Sequence, residues 1–239
     1  MHEAEAEEKR ALPLVVRIER AEPPRRTDAL EAAARAVLTL LTDPRVTGAE
    51  GEWAAAVRSW ERIGIRKVVR RARGGEWRRV LDLPGITVAH RTAEVRVHPP
   101  VPLDDWPRDL ARLQVRGTEL DDPEPVPPPG EEVVLWLNPG LEMSAGKAMA
   151  QAGHAAQLAW WDTPEAVRES WLAAGLPLAV RPAPPERWEE LTGSGLPVVR
   201  DAGFTEVAPG SCTVVAEAPW LRADGYRPAA AGPLRNQGL

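Results

Sequence analysis

Cysteine is almost missing from this 239-residue chain: Cys212 stands alone. A single thiol excludes an intramolecular disulfide and any thiolate-rich metal centre. Cys212 alternates with Val214 in an apolar run and reads as a small packed side chain rather than a nucleophile. Histidine is also scarce, and His2, His90, His98 and His154 are scattered without metal-ligand spacing. The sequence therefore predicts no metal and no other cofactor. It also lacks a hydrophobic leader core and any run of eighteen apolar residues, so secretion and membrane spanning are not expected and a cytoplasmic protein is. Lysine is nearly exhausted in the second half, where Lys147 is the only one.

Proline, by contrast, is plentiful, and its densest run is Val126-Pro127-Pro128-Pro129-Gly130. Residues 101–131 around it are predicted to be an extended, semi-rigid linker. The length suits two domains, placed at 11–100 and 132–220. Four glutamates among the first eight residues suggest a solvated leader, and 221–239 a Pro/Gly/Ala tail. Net charge is −5, with acid dominating the second half. The first half carries a dense basic stretch that includes Arg66, Lys67, Arg70, Arg71 and Arg73. Such a stretch is either a solvated strand edge or a holder of RNA phosphates, whose affinity falls steeply with salt.

Hydrophobic periodicity predicts similar element orders in both halves. In the first, strand 14–18 precedes helices 28–41 and 52–62, strand 66–70, a helical turn at Trp77, and strands 86–89 and 94–97. In the second, strand 133–137 precedes helices 144–161 and 164–174, strand 177–181, helix 185–192, and strands 196–200 and 213–217. Alternating strands and helices argue an α/β class, with two tandem α/β/α units each built on a small mixed sheet.

The most informative segment runs from the strand Val133–Leu137 through the Asn138-Pro139-Gly140 turn into an Ala-rich helix entered near Ser144. Lys147, Gln151 and His154 share one face of that helix. A cation, an amide and an imidazole near a helix N-terminus suit an anionic or carbonyl-bearing ligand; a solvated polar face is the plain alternative. Far along the chain, Asp201 and Thr205 sit in a Gly- and Pro-bounded loop between two apolar runs, where functional side chains are commonly displayed.

Together the two segments resemble the archaeal and eukaryotic, second type of peptidyl-tRNA hydrolase. Met143, Gly146, Lys147, Gln151, His154 and Ala155 match that family's Met-x-x-Gly-Lys-x-x-x-Gln-x-x-His-Ala helix. Asp201, Ala202, Gly203, Thr205, Pro209, Gly210, Ser211, Thr213 and Val214 match its late Asp-Ala-Gly-x-Thr loop and strand. The likeness covers about 133–219. Gly140 stands where the family has an acidic residue, Glu142, Ser144 and Ala145 replace a Lys-rich entry, Phe204 replaces a polar residue, and the final helix is missing.

The resemblance implies hydrolysis of the ester joining a peptide to tRNA, with peptidyl-tRNA as partner. Asp201 is then expected to orient or deprotonate water. Thr205 would hold the water or the ribose, and Lys147 would neutralise the oxyanion or the terminal phosphate with help from the N–H groups of Gly146 and its neighbours. Gln151, His154 and Gly203 are expected to orient groups or bind substrate, with a satisfied core histidine the equal alternative for His154. Neither Ser144 nor Ser211 reads as a nucleophile. A non-catalytic RNA- or protein-binding regulator and a hydrolase of another acyl ester remain open on the same fold.

The first half reads as a worn copy of the second. Val16-Arg17-Ile18 aligns with Leu135-Trp136-Leu137, and Trp60, Gly64, Val69, Arg70 and Trp77 align without a gap with Trp171, Gly175, Val180, Arg181 and Trp188. At the site positions Lys147 is replaced by Asp28, Gln151 by Ala32, His154 by Arg35 and Asp201 by His90, so the first copy is expected to be non-catalytic. Family members resemble one another in forming homodimers, which implies a fused pseudo-two-fold dimer and a monomeric chain.

Overall fold

A computed structural model describes residues 8–203 and 205–221. Most of the expected leader, Phe204, and the expected tail beyond Leu221 lie outside the described residues.

The first half comprises β1 (Arg10–Arg17), α1 (Arg26–Thr42), α2 (Pro44–Thr47), α3 (Ala54–Ile63), β2 (Lys67–Ala72), α4 (Gly74–Leu81), β3 (Ile86–His90) and β4 (Ala93–Val97). Then come β5 (Val101–Pro102) and α5 (Arg108–Ala111). The second half comprises β6 (Val134–Leu137), α6 (Ala145–Asp162), α7 (Glu165–Ala173), β7 (Ala179–Pro182), α8 (Pro185–Gly193), β8 (Val198–Arg200) and β9 (Cys212–Glu217). The fold is α/β with two small mixed sheets, ordered β2-β1-β4-β3 and β7-β6-β9-β8. In each sheet the first strand pairs parallel with the outer strand that follows it and antiparallel with the closing strand. A small local feature also recurs: Trp60 Nε1 donates to the Arg66 carbonyl at 2.8 Å, and Trp171 Nε1 to the Pro177 carbonyl at 2.9 Å.

Helices α1 and α6 pack against one another, each on its own sheet, and α6 also reaches β2 while α1 reaches β7. Alanine explains how. Ala29, Ala32, Ala33, Ala36, Ala148, Ala152, Ala155 and Ala156 are fully buried, and short side chains let two helices approach closely. At Gly153 a Cβ would meet Val37 Cγ2 at 2.9 Å, so any larger residue would force the two helices or Val37 to shift. Every residue of α6 from Ala145 to Ala159 is buried. The polar face of this helix is thus interior, and one apolar core runs through both halves. Helix α6 begins at Ser144, whose hydroxyl accepts from the Lys147 N–H at 3.2 Å. It ends before Pro164, which disfavours helical backbone in Thr163.

The extended spacer expected over 101–131 is in part folded onto the body. Pro102 pairs with Arg10, and the Arg71 N–H donates to the Gln114 carbonyl at 3.0 Å. Leu110 and Leu113 bury beside Trp77 and Val80, and Thr118 and Leu120 are buried as well. Proline density pointed to stiffness, but these apolar side chains find a core to cover, and burial decides.

Candidate active site

Asp201 follows the short β8 and is held by its backbone. Its N–H donates to the Ser211 carbonyl at 2.9 Å, and its carbonyl accepts from the Gly210 N–H at 2.6 Å. Its carboxylate is fully buried and accepts from Lys147 Nζ, from Gln151 Nε2 at 2.8 Å and from the Gly203 N–H at 2.8 Å. Gln151 is fixed in turn by Thr213, whose hydroxyl donates to its Oε1 at 2.6 Å. Gly203 has φ +81°, and a Cβ there would collide with Pro209, so the loop that presents its N–H requires glycine. Thr205, exposed, accepts from Lys147 Nζ at 3.2 Å.

Helix, loop and closing strand therefore bring Lys147, Gln151, Asp201, Gly203 and Thr205 into one hydrogen-bonded cluster. The cluster opens on a cleft of about 380 Å³. Ser144, Gly146, Lys147, Ala150, Thr205 and Glu206 line one side of it. The opposite wall comes from β2 and the linker, with Val68, Val69, Leu103, Trp106 and Val115. Lys147 thus spans the two environments, its stem buried and its ammonium tied to Asp201 at the cleft floor. A buried carboxylate with three donors holds that ammonium in place.

Comparison with known proteins bears on what such a site does. The family model described as Peptidyl-tRNA hydrolase PTH2 matches residues 132–224. A Methanocaldococcus jannaschii peptidyl-tRNA hydrolase is 35% identical over 99 residues, covering 37% of this chain and 85% of the relative. The bovine mitochondrial peptidyl-tRNA hydrolase 2 is 34% identical over 125 residues, covering 46% of this chain and 69% of the relative. A Haloquadratum walsbyi peptidyl-tRNA hydrolase is 36% identical over 86 residues, covering 33% and 77%. The chain belongs to the PTH2 family of peptidyl-tRNA hydrolases. No solved structure matches at a significant level.

Several details of this PTH2 site differ from what the residues alone suggest. The first-turn N–H groups of α6 are largely occupied: Thr118 Oγ1 accepts from Gly146 at 3.0 Å, Ser144 Oγ from Lys147, and Glu206 Oε2 from Ser144 at 2.8 Å. Oxyanion help from the Gly146 N–H is thereby corrected, because the linker hydroxyl takes it. His154 lies away from the cleft, buried, and its ring makes no well-aligned hydrogen bond among the described residues, the Ile65 carbonyl being its acceptor contact. Burial, reinforced by the charges of Lys67 and Lys147 and opposed by the Ile65 carbonyl, holds its pKa well below the ordinary imidazole value. It is a neutral core histidine, not a substrate-binding one. Asp201 is not among the residues that line the cleft and meets it only through its contact with Lys147.

The basic stretch also divides. Lys67 is buried, its Nζ donating to Gln157 Oε1 at 2.7 Å and the Ile65 carbonyl at 3.2 Å, which removes it from any RNA-facing surface. Arg70 Nη1 donates to the Leu113 carbonyl at 2.6 Å and the guanidinium stacks on Trp106, while Arg71 donates to the Arg116 carbonyl at 3.0 Å. Arg66 lines the cleft, and Arg73 precedes α4.

Sequence reasoning missed Thr118, Glu206 and Trp106, which no periodicity connects to the site. It also missed a metal-like grouping: ligand atoms of Asp28, Glu31 and His90 lie within 4.8 Å of one another. Those atoms are already engaged. Thr92 Oγ1 donates to Asp28 at 2.7 Å, Arg181 Nη1 to Glu31 at 2.6 Å, and His90 Nε2 meets Glu31 at 2.7 Å. Among the described residues no helix is long and apolar enough to cross a membrane.

Proposed function

We propose that this chain hydrolyses the ester joining a peptide to the 3′ end of tRNA, and that the reaction takes place over Lys147. The carrying observation is the Lys147 ammonium, held by Asp201 and shared with Thr205, at the floor of an open cleft on the family's own motif. Water adds to the ester carbonyl, and the developing oxyanion is stabilised by the Lys147 ammonium. The Thr205 hydroxyl accepts from Lys147 and keeps its own proton to present to the water or to the departing ribose oxygen. The water's proton ends on that ribose oxygen, so no base is consumed overall. Asp201 and Gln151 are positioning residues that hold the ammonium, and Gly203 holds Asp201.

We read the two halves as a tandem duplication whose first copy lost the chemistry, packed as an internal two-fold pair in a monomeric chain. The shared strand order, the paired tryptophan hydrogen bonds and the α1–α6 packing support this reading. Contact with the tRNA backbone is assigned to Arg66, which lines the cleft, and to Arg73 in the first half, and the protein serves translation in the cytoplasm.

The test is cleavage of purified peptidyl-tRNA. Lys147→Met and Asp201→Asn should each lower kcat at least about 100-fold, the scale of a deleted oxyanion or acid-base group. The comparison holds for variants that melt well above the assay temperature. Near-normal turnover in both would sink the assignment. A dimer by sedimentation would remove the monomeric reading.

A further inference from the structure

The outer edge of β2 forms one wall of the cleft over Lys147, and its backbone is set for pairing. Arg66 and Ala72 turn their carbonyls toward β1, accepting from Leu12 and Ile18. Strand alternation then points the N–H and C=O of Lys67, Val69 and Arg71 away from β1. At Arg71 this outward edge is already used, since its N–H donates to Gln114 of the linker. One step earlier, Val69 faces the cleft, and among the described residues no strand pairs there.

The other half contains the closed counterpart. On β7, Ala179 and Ala183 donate inward to Val133 and Leu137, so Leu178 and Val180 face outward. Three of the outward groups there are capped by side chains. Arg35 donates to the Leu178 carbonyl at 3.3 Å, and Glu31 accepts from the Val180 N–H at 3.2 Å. Arg181 donates to the Val180 carbonyl at 2.7 Å. In the register that matches Asp28 with Lys147, Glu31 corresponds to Ala150, and Ala150 lines the cleft. The carboxylate that plugs one edge is a methyl group at the other.

Resting on the hydrolase reading, we propose that the peptide of peptidyl-tRNA docks as an added strand on the outer edge of β2, pairing with the N–H and C=O of Val69. The ester then lies over Lys147, one helical turn from Ala150. Added strands take affinity from main-chain hydrogen bonds, which a peptide of nearly any sequence can supply. The apolar wall of Val68, Leu103, Trp106 and Val115 fits peptide side chains better than phosphate. Of the cations along that wall, Arg70 is committed to the linker and Lys67 to Gln157, and Arg71 beside them also donates to the linker. Recognition by pairing also separates peptidyl-tRNA from aminoacyl-tRNA, which has no peptide unit to pair.

The experiment measures kcat/KM for the wild-type chain on one tRNA carrying an N-acetyl-aminoacyl group, a tripeptide, or the same tripeptide with the amide nitrogen of its central residue methylated. The tripeptide should exceed the N-acetyl substrate by about tenfold, the scale of one or two hydrogen bonds, and N-methylation should remove that gain. Val69→Pro deletes the outward N–H and leaves the β1 ladder intact, because proline is tolerated at an outer strand. In that variant the tripeptide-to-acetyl ratio should fall toward one. Equal rates on all three wild-type substrates would overturn the proposal while leaving the hydrolase reading standing. So would an unchanged ratio in a folded Val69→Pro chain, or a loss of deacylated-tRNA binding in Trp106→Ala with no length dependence, which would assign the cleft to the nucleotide. Failure to cleave any substrate would instead sink the hydrolase reading.

Discussion

The two halves place opposite chemistry on one scaffold. In the second, a lysine on the central helix faces a carboxylate on the loop after β8, and the neighbouring cleft is open. In the first, the corresponding helix turns Asp28 and Glu31 toward His90, and Glu31 reaches across to Arg181 and Val180 of the other half. Burial pushes the Glu31 carboxyl up, but the hydrogen bonds from His90, Arg181 and Val180 outweigh it and leave the pKa below its ordinary value. Glu31 is therefore a buried anion serving the interface. The contact of α6 with β2 borders a cleft, and that of α1 with β7 is a sealed joint between the halves.

Transplanting the seal is the strongest way to break this contrast. Ala150→Glu puts a carboxylate where Val69 and Lys147 meet the cleft, and should lower peptidyl-tRNA cleavage by about two orders of magnitude, the loss expected when an oxyanion-stabilising cation is captured. Steady-state rates on the folded variant check this, and retained activity would deny that the cleft is the reaction chamber.

Removing the seal is next. Glu31→Ala leaves the Arg181 guanidinium buried beside no carboxylate, and should destabilise the chain by about 3 kcal/mol while sparing Lys147 chemistry. Urea titration gives the first quantity and turnover at low denaturant the second.

The smallest effect is acid sensitivity. His98 is buried in the first half, its Nδ1 donating to the Pro84 carbonyl at 2.6 Å, and burial lowers its pKa from 6.5 to about 4 despite that bond. Between those values the unfolded chain binds a proton that the folded chain refuses. Stability is therefore complete above pH 6.5 and lost as pH falls toward 4, by at most about 3 kcal/mol. Melting temperature against pH should show this slope, and His98→Gln should flatten it. His154, at the α1–α6 layer, should steepen the same slope, so His154→Gln reports how far both halves share it.

Much of the architecture was readable before any coordinates. Alternating apolar runs marked both sheets, and helices α1 and α6 began within two residues of where caps and periodicity placed them, because local backbone preferences suffice for such elements. The linker was misread for a physical reason. Its prolines are visible as stiffness, whereas the burial of Leu110, Leu113 and Leu120 depends on surfaces supplied from elsewhere. The polar face of α6 was ambiguous in the same way: Lys147, Gln151 and His154 share a face whether that face meets water or protein.

What the sequence determined by itself was the family, the order of elements and which residue types meet: a lysine, a glutamine, an aspartate and a threonine at motif spacing. Tertiary structure alone decided that Asp201 is walled off behind Lys147, that His154 is a neutral core residue, and that Thr118 and Glu206 cover the helix start. It also decided that a strand edge from the first half borders the cleft of the second. Motif spacing follows from neighbours along the chain, but exposure and pairing depend on what the far half of the molecule covers, and that is settled only when the core closes.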